Sequence, residues 1–180
     1  NIASYRDPEL MPSITDCINR ATYPERIYFG IHEQDAEHNA TLDKIPNLKY
    51  EFIHFKKAQG TGYSRNYINK NLYNGQDYVL QIDSHTRFIQ EWDEMYIEDY
   101  NKFNEEVILT GFPPQYKIGD LYDDYKMYPS NNAVKPKHIT PSYKIISESQ
   151  PFYGDYVQTY VASGANTFMP RSFVEKSVFD

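Results

Sequence analysis

Apolar and polar positions switch between a helical and an extended period along the chain, and the switches predict its elements. Leu10, Ile14, Cys17, Ile18 and Ala21 fall at i, i+4, i+7, i+8 and i+11, the spacing of one buried helix face. Asp7-Pro8-Glu9 just before them is a start signal, with Asp7 placed to cap free amides and Pro8 pre-set for the first helical position. Tyr23-Pro24 stops this helix, and the short apolar run Ile27 to Ile31 then predicts a buried strand. A polar loop follows to about Asn47, and Tyr50 to Phe55 predicts a third strand. Thr61 is a cap for a helix running through Ile68 and Leu72 to the stop at Asn74-Gly75. Tyr78 to Ile82 is a further buried strand with Asp83 at its carboxyl end. Trp92, Met95, Tyr96, Tyr100 and Phe103 mark one face of the next helix, and Val107 to Thr110 the strand after it. Strands alternating with helices in this way predict an α/β fold, a mostly parallel central sheet with helices on both faces.

The pattern dissolves between 115 and 143 into Pro, Asn, Lys and Tyr, an irregular excursion, and extended segments resume between Tyr156 and Met169. A length of 180 residues fits one domain over 1–180, large enough to bury a core. The chain opens at Asn1 inside a strand and stops at Asp180 with nothing to close it, as an excised, truncated domain would. The charge is −7, from 18 Lys plus Arg against 25 Asp plus Glu, which argues against nucleic acid as a partner. No run of residues is long and apolar enough to predict a membrane span. A single cysteine, Cys17, excludes an internal disulfide framework and a cysteine-based zinc cage, and points to a reducing, cytoplasmic setting.

In an open parallel sheet, ligands bind beyond the carboxyl ends of the strands. Asp83-Ser84-His85 lies at such an end and offers one carboxylate oxygen and one imidazole nitrogen to a divalent metal. That pair, with positions left for phosphate oxygens, suits manganese or magnesium better than a structural zinc. Asp at a strand end is equally a turn former. Gly62-Tyr63-Ser64-Arg65 falls on the first turn of the preceding helix, where a guanidinium meets either a nucleotide diphosphate or a neighbouring carboxylate. Ala3-Ser4-Tyr5-Arg6 ends the first strand, the usual place for a base and ribose. Ala162-Ser163-Gly164-Ala165 is a small-residue stretch that admits close approach of a ligand or of another element. His32, Glu33, Asp35 and His38 have a metal-like composition but fall in the expected polar loop, and are read as solvated charge.

These pieces together resemble known glycosyltransferases. Leu80-Gln81-Ile82-Asp83-Ser84-His85, with Trp92 following, resembles the Asp-Ser-His metal motif of polypeptide N-acetylgalactosaminyltransferases. Gly62 and Arg65 match the Gly-x-x-Arg of the same enzymes in offset. Ala162 to Phe168, with Phe173, resembles their Ala-Gly-Gly-x-Phe sugar segment, Ser163 replacing the first of the paired glycines. The opening Ala3 to Leu10, with Phe29-Gly30-Ile31 and Gln34, is closer to the hydroxyproline N-acetylglucosaminyltransferase-like family. The resemblance implies a GT-A fold, a UDP-sugar donor, manganese or magnesium, and retaining transfer of an N-acetylhexosamine to a glycan or protein hydroxyl. Asp83 and His85 would be the metal ligands. Ala3, Ser4, Arg6, Gln34 and Arg65 would lie against the nucleotide, and Ser163, Gly164 and Ala165 against the sugar. In the related enzymes an acidic sugar-binding residue and a further metal ligand come after the point matching Asp180.

Two other readings stay open. A degenerate transferase that only binds carbohydrate or a partner would use the 18 tyrosines as a binding face. A nucleotidyltransferase would show a glycine-rich phosphate loop near the first strand, and Ala3 to Asp7 contains no glycine.

Overall fold

The computed structural model describes residues 1–111 and 163–176, with the backbone alone at 152–153 and 156–157. The excursion expected at 115–143, and Ala162 of the small-residue stretch, lie outside the described residues.

Six strands form one sheet: β1 (Ile2–Tyr5), β2 (Phe29–Asp35), β3 (Leu48–His54), β4 (Tyr78–Asp83), β5 (Leu109–Thr110) and β8 (Asn166–Pro170), in the order β3-β2-β1-β4-β8-β5. Two further strands, β6 (Phe152–Tyr153) and β7 (Tyr156–Val157), pair with each other. Strands β3, β2, β1 and β4 are mutually parallel, while β8 runs antiparallel to both of its neighbours. The mostly parallel α/β sheet expected from the sequence is therefore present, with one reversed strand. That reversal sets the amino end of β8 beside the carboxyl end of β4, Ile82 opposite Asn166.

Helices cover both faces. Ile2, Ile31 and Ile82 stand in register on one face and join Leu10, Ile14 and Cys17 of α1 (Leu10–Arg20) and Trp92 and Tyr96 of α3 (Trp92–Tyr100) in one core. Each fully buried Leu or Ile there contributes about 1.5–3 kcal/mol. The Trp92 indole N–H donates to the Cys17 carbonyl at 2.9 Å, locking α3 against α1. On the other face lie α2 (Thr61–Tyr67) and the π-helical turn Ile68–Leu72 that continues it. Gly30 is needed there, because a Cβ would come within 2.8 Å of the Ile68 Cγ2. A short helix, α4 (Arg171–Lys176), follows β8.

Several boundaries differ from expectation: β3 starts two residues before Tyr50 and ends at His54, and α3 closes at Tyr100, before Phe103. Helix α1 starts at Leu10, since Asp7 and Glu9 form a turn first: the Glu9 amide donates to Asp7 Oδ1 at 2.9 Å and the Leu10 amide to the Asp7 carbonyl at 3.3 Å. Thr61 is the first residue of α2 and Gly60, with φ +91°, is its cap. Strand β5 is shorter than the apolar run Val107 to Thr110. Strand β2 begins two residues later than Ile27 and runs on to Asp35, because it pairs with β3 from Phe29–Leu48 to Asp35–His54. His32, Glu33 and Asp35 are thus strand residues and not loop residues, and His32 and Glu33 are buried. Hydropathy alone ends the strand at Ile31, but ladder hydrogen bonds hold a polar strand end in place as readily as an apolar one.

Candidate functional site

The carboxyl ends of β1, β2 and β4 meet at one edge of the sheet. Ala3 is paired in register with His32 on one side and Asp83 on the other, so its small side chain separates the two. Ser4 is buried, and its carbonyl accepts from Gln34 Nε2 at 3.2 Å. The other end of the Gln34 carboxamide, Oε1, is buried with no hydrogen-bond partner among the described residues. Arg6 has left-handed φ 49°, donates its amide to the Gln34 carbonyl at 3.0 Å, and holds its guanidinium 4.7 Å over the Phe55 ring. That stack is a cation–π contact at the rim. Tyr5 beside it is half exposed.

Arg65 ties this edge to β8. One guanidinium nitrogen donates to Asp83 Oδ1 at 3.0 Å and to the Gly164 carbonyl at 2.7 Å. Gln81 Nε2 reaches the same carbonyl at 3.3 Å. Arg65 Nε is buried and unpartnered among the described residues. A side chain at Gly164 would collide with the guanidinium at its Nη1, so the present seat of Arg65 depends on glycine there. The partner of Arg65 here is thus a neighbouring carboxylate, Asp83, which is also the expected metal ligand. Ser163 faces inward. Its amide donates to Thr110 Oγ1 at 2.7 Å, its Oγ accepts from the Ala165 amide at 3.2 Å, and its carbonyl takes the Thr167 hydroxyl, so it braces the loop carrying Gly164 and Ala165.

His85 and Ser84 turn back toward the start of the chain. The Ser84 hydroxyl donates to Asp7 Oδ2 at 2.6 Å, and His85 Nδ1 lies 2.7 Å from the same oxygen. Burial pushes the Asp7 carboxyl up, but hydrogen bonds from Ser84, His85 and the Glu9 amide outweigh it and hold the group below the usual carboxylate range. The Ser84 carbonyl accepts from the buried Ser13 hydroxyl at 2.8 Å, and the Thr86 hydroxyl closes on the Asp83 carbonyl at 2.8 Å. The turn that carries Asp83 and His85 is therefore rigidly anchored. Among the described residues, no group of three or more His, Cys, Asp or Glu side chains is spaced to hold a metal ion.

The edge thus gathers Ala3, Ser4, Arg6, Gln34 and Asp83 at adjoining strand ends, Arg65 from α2 and Gly164 from the loop before β8, with His85 on the turn after β4. Sequence reading missed Asp7 and Gln81 as members. The signal for Asp7 was its place just beyond β1, next to β4 in the sheet; it was absorbed by an adequate alternative, a helix cap. His32, read as loop, is stacked on Tyr67 with ring centroids 4.9 Å apart, and burial lowers its pKa against a weaker opposing pull from Glu51. A separate cavity of about 1030 Å³ opens at the opposite, amino edge of the strands, and none of the expected site residues lines it.

The carboxyl edge of this α/β sheet carries an arginine, a carboxylate, an imidazole and a closely approached glycine backbone, the place where open parallel sheets bind their ligands. The family model described as Glycosyltransferase (GlcNAc) matches residues 1–54 and 45–146, and the chain belongs to that family. No curated protein and no solved structure matches the chain. Among the described residues, no helix is long and apolar enough to cross a membrane.

Proposed function

We propose that this chain is the donor-binding GT-A domain of a metal-dependent, retaining glycosyltransferase, which moves an N-acetylhexosamine, in the first place N-acetylglucosamine, from a UDP-sugar to a glycan or protein hydroxyl. The observation that carries the reading is the junction of Arg65, Asp83 and the Gly164 carbonyl at the carboxyl edge of β4. A guanidinium, a carboxylate and a half-buried backbone carbonyl meet there, groups suited to a diphosphate and the cation that accompanies it. Family membership supports glycosyl transfer in general. A cytoplasmic setting belongs to the same reading, supported by the single buried cysteine.

The donor set fits a hard divalent cation. Asp83 offers an oxygen from a side chain 36% exposed and His85 a nitrogen from one 61% exposed, and such mixed ligation leaves positions for phosphate oxygens. Manganese or magnesium held by these two would act as a Lewis acid that neutralises the departing diphosphate. Arg65 would give up Asp83 for the phosphates while keeping its grip on the Gly164 carbonyl. Ala3, Ser4 and Gln34 would line the nucleoside, and Arg6 would close the rim. Ser163 would act by bracing, with Gly164 and Ala165 nearer the sugar.

Titration calorimetry of the chain with manganese and a panel of UDP-, GDP- and ADP-sugars tests this. Binding restricted to uridine nucleotides, tightest for a UDP-N-acetylhexosamine, is the expected result. Capture of a glycan with no affinity for any nucleotide sugar would favour a non-catalytic carbohydrate- or partner-binding module, and would refute the transferase reading.

A further inference from the structure

Asp7 directly follows Arg6, whose left-handed backbone turns the chain at the end of β1, and this turn delivers the Asp7 side chain, 15% exposed, to the loop after β4. Its two oxygens are divided. Oδ1 takes the Glu9 amide at 2.9 Å, while Oδ2 takes the Ser84 hydroxyl at 2.6 Å and faces His85 Nδ1 at 2.7 Å. An ionised carboxylate only accepts hydrogen bonds, so the nitrogen facing it at that distance must carry the proton. In a neutral imidazole the other nitrogen, Nε2, then keeps its lone pair. Three donors from three separate positions fix the carboxylate, and the carboxylate in turn fixes the plane of a ring that is otherwise mostly open to water.

We propose that Asp7 is a positioning residue that sets the tautomer and orientation of His85, so that Nε2 and not Nδ1 is the nitrogen offered to the cation. This rests on the metal reading of Asp83 and His85. It also gives Ser84 a role between the two expected ligands: its hydroxyl holds Asp7 in place, and its carbonyl is held by Ser13. A carboxylate behind a ligating imidazole raises the basicity of the ligand and fixes its direction, and losing such a partner commonly costs about 10–100-fold in metal affinity.

Two measurements test it. The first is the tautomer of His85 in the metal-free wild-type chain, read from imidazole nitrogen shifts at a pH where the ring is neutral. The proton is expected on Nδ1; a proton on Nε2 overturns the proposal without any mutation. The second compares Asp7→Ala with Ser84→Ala in manganese-dependent UDP binding. Asp7→Ala is expected to release the tautomer and weaken that binding about 10–100-fold, with Ser84→Ala intermediate. Lower melting temperatures with an unchanged tautomer and unchanged manganese dependence would make Asp7 a structural residue only and overturn the proposal. If wild-type UDP binding ignores manganese while the tautomer is as expected, the cation reading itself fails, and the offer of Nε2 to a cation falls with it.

Discussion

Gly164→Ala should unseat Arg65. A methyl at this position meets the guanidinium at a separation no real Cβ shows, and the guanidinium, being the far end of a flexible side chain, is what gives way. Its retreat breaks two interactions at once. The bond to the Gly164 carbonyl is a charge-assisted hydrogen bond from a side chain only 21% exposed, worth about 1.5–2 kcal/mol. The bond to Asp83 is discounted for solvent, since that carboxylate is 36% exposed, to about 0.5–1 kcal/mol. Together they amount to about 2–3 kcal/mol, or about 4–12 °C in melting temperature for a chain of this size. Gly62→Ala is the matched control: a Cβ there meets nothing within 4 Å, and alanine favours the helix. Scanning calorimetry of both variants gives the comparison. Melting of Gly164→Ala within about 1 °C of wild type, alongside an unperturbed Gly62→Ala, would refute the argument that Arg65 is packed on the Gly164 backbone.

Arg65→Lys keeps the charge but loses the planar fork, so UDP affinity should fall by about 1–3 kcal/mol; because the guanidinium also joins Asp83 to Gly164, melting temperature should fall with it, and calorimetry of both quantities checks the pairing. Tyr96→Phe removes the buried hydroxyl that donates to Asn166 Oδ1 at 2.5 Å and should cost about 1–3 kcal/mol in urea unfolding. Burial holds the His32 imidazole below its ordinary value of 6.5. The unfolded chain therefore takes up this proton first as pH falls: the stability due to a neutral His32 is complete above about pH 6.5 and is lost below it as the pH approaches the lowered folded value. In urea midpoints compared between about pH 7.5 and about pH 5.5, His32→Gln should show a smaller loss than wild type; equal losses would mean that His32 does not titrate below its unfolded value.

The parts of the fold that rest on side-chain periodicity were legible in the sequence. Leu10, Ile14 and Cys17 are buried on the expected face of α1, and Trp92 and Tyr96 on that of α3. Asp83 ends β4 as its apolar run predicts. What escaped depends on partners distant in sequence. The end of β2 is held by β1 and β3, so polar His32 to Asp35 gave no local sign of being strand. The reversal of β8, which brings Gly164 to Arg65, is set by a pairing between residues more than eighty positions apart. Asp7 satisfied a local explanation, and only the neighbouring placement of β1 and β4 puts it against Ser84 and His85. Arg65 and Asp83 were both singled out, but their contact in the free protein could not be read from a spacing.

In the proposed function, Asp83 and His85 would hold a diphosphate through a cation. Calorimetric titration of UDP into wild type and Asp83→Ala, with manganese and again with chelator, tests it most directly. Wild-type affinity should drop by an order of magnitude or more when manganese is removed, and Asp83→Ala should bind weakly and equally in both conditions. Equal wild-type affinity with and without manganese, or an Asp83→Ala variant that retains the full manganese dependence, would contradict it.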